Sequence, residues 1–208
     1  WCQDFLLNQG LPRNKIHLIR TAGPNDSLEH SRKPMSDGIL RLVYWGRCHS
    51  SKGLELVIKA IRAMPIDSPI QLDFYGQSWD NSDYQKTMYS LIKGNSHFRF
   101  MGVIPNDKLL ITLKDYDLAV VPSTWLETGP LTVLEAFAAG LPVAGSSMGG
   151  IKELLTDVKG CFLLPLEINA WKDLFVNLIK STEELKAAQI PKPRSFQEIV
   201  KELNNKVY

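Results

Sequence analysis

Short apolar runs alternate along the chain with longer stretches in which apolar residues recur at helical spacing. The runs predict strands at Leu40–Trp45, Ile70–Tyr75, Phe98–Met101, Leu118–Val121, Pro142–Ala144 and Cys161–Leu164. The stretches between predict helices at Leu54–Met64, Tyr84–Lys93, Asp107–Lys114, Pro130–Ala139, Ile151–Leu155 and Ala170–Ile179. The strand runs are mostly apolar, as strands buried on both faces are. The helical stretches are amphipathic, with one face for a sheet and one for solvent. Strand–helix alternation of this kind predicts an α/β fold: a doubly wound, Rossmann-like, mostly parallel sheet flanked by helices. Before it, residues 1–20 read as a short helix end, the break Gly10-Leu11-Pro12 and an extended run Lys15–Arg20. Residues 21–37 are turn-rich and polar, hence a linker. A last helix is predicted at Ser195–Tyr208, after Pro191-Lys192-Pro193.

Glycine and polar residues collect just past the predicted strands. Gly46-Arg47 follows the first, Gly76-Gln77-Ser78 the second and Gly102-Val103-Ile104 the third; Thr124 to Glu127 follows the fourth and Ser146 to Gly150 the fifth. Open α/β sheets bind ligands at the carboxyl ends of their strands, where the strand order reverses. In doubly wound order the loops after strands one and four flank that point. Those loops carry Arg47, Lys52 and Glu127.

Two carboxylates, Glu127 and Glu135, bracket the mouth of the helix after strand four. The mouth offers backbone N–H groups at Gly129, Leu131 and Thr132, with Pro130 suited to the first helical position. A helix N-terminus attracts anions, and carboxylates beside it accept hydrogen bonds from hydroxyls. Such a pairing suits a sugar nucleotide. Glu135 stands among Leu131, Val133, Leu134, Ala136 and Phe137, where a carboxylate is costly unless partnered. Across the sheet, Gly46 to Gly53 puts Arg47 and Lys52 on one loop. Together they can neutralise a diphosphate, Arg47 as a planar fork and Lys52 as a point charge. Taken alone, two cations on a loop are equally compatible with a solvated surface.

Net charge is +2 across 208 residues, which gives no ground for a nucleic-acid partner. Cys2, Cys48 and Cys161 are few and far apart, reading as reduced thiols of a cytoplasmic protein. There is no signal-peptide pattern, and the chain, opening without methionine, is expected to be a fragment. No glycine-rich dinucleotide or P-loop fingerprint occurs, and no cluster of ligating residues calls for a metal or cofactor. Gly145-Ser146-Ser147-Met148-Gly149 matches a hydrolase nucleophile elbow, but every histidine lies upstream of Ser147. Its glycines read instead as close backbone approach to a ligand. Trp79 and Trp125 lie near the expected cleft, and packing is the default for either. Asn25-Asp26-Ser27 is a glycosylation sequon by pattern only.

From about residue 39 to 180 the chain resembles the C-terminal domain of a retaining glycosyltransferase of family four, with the GT-B fold. The likeness rests on Gly46-Arg47-x4-Lys52-Gly53, on Phe100-x-Gly102 with Val103 and Ile104, on Pro122-Ser123 before Glu127-x7-Glu135, and on Ala139-Gly140-x-Pro142-Val143 with Gly149-Gly150-x-x-Glu153. It implies sugar transfer from a nucleoside-diphosphate sugar to an acceptor hydroxyl, with retention and without a metal. It assigns Arg47 and Lys52 to the diphosphate, Glu127 to donor-sugar hydroxyls and Glu135 to the ribose. Gly46, Gly76, Gly102, the backbone at Ile104, and Gly129, Pro130 and Leu131 would complete the donor site. The expected division is 1–37 as stub and linker of an absent acceptor domain, 38–190 as donor domain and 191–208 as a C-terminal helix. Through the absent domain the partner is an acceptor glycan, lipid or small molecule. The setting is cytoplasmic and open to peripheral attachment of the full-length protein at the inner membrane face. The alternatives are a sugar-nucleotide epimerase of the same architecture and a non-catalytic nucleotide-binding module.

Overall fold

The computed structural model describes residues 1–24, 37–76 and 83–206. Most of the predicted linker, the sequon, Gln77, Ser78 and Trp79, and the last two residues lie outside these. Six strands, β1 (Leu40–Trp45), β2 (Ile70–Tyr75), β3 (Phe98–Phe100), β4 (Leu118–Val121), β5 (Val143–Ser146) and β6 (Phe162–Leu164), form one sheet in the order β3-β2-β1-β4-β5-β6. Every neighbouring pair is parallel. The order reverses between β1 and β4, so their loops flank the switch point.

Period two along the strands sends alternate side chains to opposite faces. Leu42, Tyr44, Leu118 and Val120 face one layer, with α2 (Leu54–Arg62), α3 (Asp83–Ile92) and α7 (Ile168–Lys180). Val43, Trp45, Ala119 and Val121 face the other, with α4 (Leu109–Leu113), α5 (Leu131–Ala138) and α6 (Gly149–Leu155). Both faces are covered, which is why the strands read as mostly apolar runs.

The departures from the sequence reading are local. β5 starts after Pro142, whose ring nitrogen has no hydrogen for the ladder; its carbonyl still accepts from Ala119 N at 2.9 Å. Cys161 is held in a turn by Val158 O, so β6 opens one residue later. The helix expected at Asp107–Lys114 divides into a 3₁₀ turn, Asn106–Lys108, and α4. The run Lys15–Arg20 forms no strand; α1 (Cys2–Asn8) and a 3₁₀ turn at Arg13–Lys15 precede it. A four-residue α8 (Glu183–Lys186), too short to show a period, goes unpredicted.

α9 (Phe196–Lys206) opens with a reciprocal cap: Glu198 Oε2 accepts from Ser195 N at 2.6 Å, and Ser195 Oγ accepts from Glu198 N at 3.3 Å. No residue of α9 is buried. The segment leading into it meets the N-terminal stub, where Gly23 N donates to Arg194 O at 3.0 Å. None of the three cysteines forms a disulfide. Among the described residues no helix is long and apolar enough to cross a membrane.

Candidate functional site

The loops after β1 and β4 are stitched together by backbone and hydroxyl. Thr124 N donates to Ser51 O at 2.9 Å, and Ser123 Oγ lies 3.0 Å from the same oxygen. Gly53 makes the crossing fit. It is left-handed at φ 69°, and a Cβ there would overlap the carbonyl of Pro122. Between the loops lies a cavity of about 220 Å³, whose lining includes Gly46, Arg47, Lys52, Ser123, Glu127 and Thr132.

Its charged lining is two cations and one carboxylate. Lys52 Nζ sits 2.6 Å from Glu127 Oε1, with both side chains largely shielded. Ser123 Oγ is 3.1 Å from the same oxygen, and Oε2 has no hydrogen bond among the described residues. The Arg47 side chain is exposed and makes no ion pair among the described residues. Its carbonyl accepts from Tyr44 OH at 2.9 Å; burial pushes that hydroxyl's pKa upward, keeping it a donor.

α5 begins at Leu131, and Pro130 is its N-cap rather than its first residue. Its φ of −69° suits a helix, but its ψ of 98° is extended. The Pro130 carbonyl accepts from Val133 N at 3.1 Å, whereas the N–H groups of Leu131 and Thr132 have no partner among the described residues. Thr132, in the first turn of α5, also lines the cavity.

Glu135 does not line this cavity. Its Oε2 accepts from Trp45 Nε1 at 2.6 Å, and Trp45 does line it. That bond is the partner a carboxylate among apolar neighbours requires. Gly76, Gly102 and Ile104 are on the next loops outward. Gly76 N donates to Gly102 O at 2.8 Å, and a Cβ on Gly76 would stand 2.6 Å from Gly46 O. Gly129 faces elsewhere. It lines a separate cavity of about 460 Å³ with Thr21, Arg20 and Glu153, and a Cβ on it would meet Thr21 at 3.3 Å.

Two expectations need correction. Gly145 makes close approach not to a ligand but to α6, since a Cβ there would press on Ile151 at 2.5 Å and Leu155 at 2.6 Å. Gly149 and Gly150 likewise lie against the backbone of Glu127. Trp125 is not packed: it is 67% exposed on the loop carrying Glu127. Tyr44, Trp45 and Ser123 have no site role in the sequence reading, whereas Thr132 enters it only as a helix-mouth amide. Pro122-Ser123 was the one hint, as part of a motif.

The match to known proteins follows this geometry. Residues 28–195 match the model of the family described as glycosyl transferases group 1. The chain belongs to that family. An uncharacterized glycosyltransferase of Methanocaldococcus jannaschii is 31% identical over 125 residues, covering 60% of this chain and 32% of that protein. The lipopolysaccharide 1,2-N-acetylglucosaminetransferase of Salmonella typhimurium is 30% identical over 142 residues, 64% of this chain and 37% of that protein. This group 1 chain thus spans about a third of the length of these curated relatives. In fold it is similar to Anabaena HepE, solved in complex with UDP and glucose, at TM-score 0.77 and 17% identity over 99% of this chain and 60% of that one. The sheet is therefore the Rossmann-like sheet of a GT-B glycosyltransferase. Among the described residues no group of three or more His, Cys, Asp or Glu is placed to hold a metal ion.

Proposed function

We propose that this chain is the donor-binding half of a retaining glycosyltransferase, moving a sugar from a nucleoside-diphosphate sugar to an acceptor hydroxyl. The observation that carries the reading is the convergence of Arg47, Lys52 and Glu127 on one cavity at the switch point, beside the mouth of α5. Breaking the sugar–phosphate bond builds negative charge on the departing diphosphate. Arg47, Lys52 and the α5 amides are cations and donors gathered beside that charge, and electrostatic stabilisation of this kind contributes most to such a step. Glu127 neutralises Lys52, their charged atoms 2.6 Å apart. A bound diphosphate takes over Lys52 and frees the carboxylate for sugar hydroxyls. Glu135, steadied by Trp45, holds the ribose, and the loops at Gly76 and Gly102–Ile104 border the base.

With two cations and a helix mouth on the diphosphate, transfer proceeds without a metal ion. Residues 1–37 and 191–208 then connect to an acceptor domain, which belongs to the length of the relatives that this chain does not span. The acceptor is a glycan, lipid or small molecule held there.

A thermal-shift panel of UDP, GDP and ADP with their sugar esters, run with and without EDTA, tests the reading. HepE binds UDP, so the uridine pair comes first. At ~100 times the dissociation constant a true ligand stabilises the fold by about 2.7 kcal/mol. A panel with no shift at all overturns the proposal. Product analysis with the full-length protein separates transfer from epimerisation.

A further inference from the structure

We propose that Ser123 is a positioning residue that anchors one oxygen of the Glu127 carboxylate so that the other is presented to the donor sugar. The inference rests on the donor-site reading above and names the group that holds its sugar-binding carboxylate.

Ser123 is 2% exposed, two residues past the end of β4. Its backbone cannot drift, because its carbonyl accepts from the fully buried Ser146 hydroxyl at 2.6 Å. Its Oγ accepts from Trp125 N at 3.3 Å and has a single proton to give. Two acceptors compete for it, Ser51 O at 3.0 Å and Glu127 Oε1 at 3.1 Å. Ser51 O is already served by Thr124, through its N–H at 2.9 Å and its hydroxyl at 3.3 Å. Thr124 thus satisfies that carbonyl without the Ser123 proton. A carboxylate also makes the stronger, charge-assisted bond. The proton therefore goes to Glu127.

Ser123 and Lys52 converge on the same oxygen, Oε1. Oε2 is left for a hydroxyl. The two anchors are not equivalent. Lys52 has a long, rotatable side chain beside Arg47, and a diphosphate in the cavity draws it away. Ser123 has a short side chain on a locked backbone and stays. Once the diphosphate is bound, Ser123 is the only described side chain still donating to the Glu127 carboxylate. The discrimination between a sugar-bearing donor and its bare diphosphate then depends on this hydroxyl.

The competing role is a plain staple between two loops. A staple supports Arg47 and Lys52 as much as Glu127, so its loss weakens every ligand alike. The experiment measures affinity by calorimetry for the pairs UDP and UDP-glucose, GDP and GDP-mannose, and ADP and ADP-glucose on the full chain. It uses wild type, Ser123→Ala, Glu127→Gln and the double variant. For the pair that wild type binds, Ser123→Ala should weaken the sugar ester about tenfold or more and the free diphosphate less than about twofold. In the Glu127→Gln background the same change should add little, because the two act as one unit. Equal loss for both ligands, no loss, or additive losses in the double variant would overturn the proposal while leaving the donor site standing. If Ser123→Ala does not fold, Ser123→Cys, isosteric with a weak donor, must show the same split, with Ser123→Thr restoring it. If wild type binds no pair, the donor site fails and this inference with it.

Discussion

Trp45, the last residue of β1, donates its indole N–H to Glu135 of α5 at 2.6 Å, joining residues 90 apart in the chain. The bond supplies the partner that Glu135 lacks among its apolar neighbours. It also sets the carboxylate against the wall of the cavity that Arg47 and Lys52 line. Trp45→Phe should cost about 1–3 kcal/mol of stability by leaving that carboxylate half-satisfied. Urea denaturation measures it, and an unchanged midpoint would show the indole bond to be immaterial.

Glu127→Gln and Glu135→Gln should separate by ligand. The first should weaken the sugar-bearing nucleotide and spare the free diphosphate. The second should weaken both, since both carry the ribose. Calorimetry on the two variants decides the matter; the reverse pattern exchanges their roles.

The two cations should separate as well. Arg47→Ala and Lys52→Ala should each weaken a nucleoside diphosphate by about 1.5–3 kcal/mol and the bare nucleoside far less. Among the described residues Lys52 has an ion-pair partner and Arg47 has none, so Lys52→Ala rather than Arg47→Ala should lower the ligand-free melting temperature, by about 2–4 °C for a loss near 1 kcal/mol. Equal melting temperatures for the two variants would contradict the pairing with Glu127.

Gly53→Ala should be among the most damaging small substitutions. The left-handed backbone disfavours any side chain, and the methyl group would strike the Pro122 carbonyl. A loss of about 3 kcal/mol or more is expected from strain and overlap together. A denaturation midpoint within error of wild type would mean that the two loops do not cross as described.

Asp73 on β2 is 1% exposed and fully engaged: Arg99 donates from Nε at 2.7 Å and Nη2 at 2.6 Å, and Tyr116 OH at 2.8 Å. Burial raises the pKa of Tyr116, keeping it a donor. Tyr116→Phe should cost about 1–3 kcal/mol. Arg99→Ala should cost more, because it leaves a buried charge without its counter-ion. Chemical denaturation ranks the two, and the opposite order would make the guanidinium dispensable.

The sequence by itself determined the alternation of strands and helices, the faces they bury, the loops that carry Arg47, Lys52 and Glu127, and the helix that carries Glu135. Those features are written locally, in periods of two and 3.6 residues and in the small residues that end each run. Only the tertiary structure decided which of those side chains meet. Lys52 and Glu127 are 75 residues apart and touch because β1 and β4 are neighbours in the sheet. No local period encodes that adjacency. The same holds for Gly145, whose missing side chain makes room for Ile151 and Leu155, and for Trp125, which residue type alone would bury. Gly129 was legible as part of the helix mouth but not as the neighbour of Thr21. Its surroundings depend on how a segment more than a hundred residues upstream packs back against the loop, and hydrophobic pattern carries no information about that.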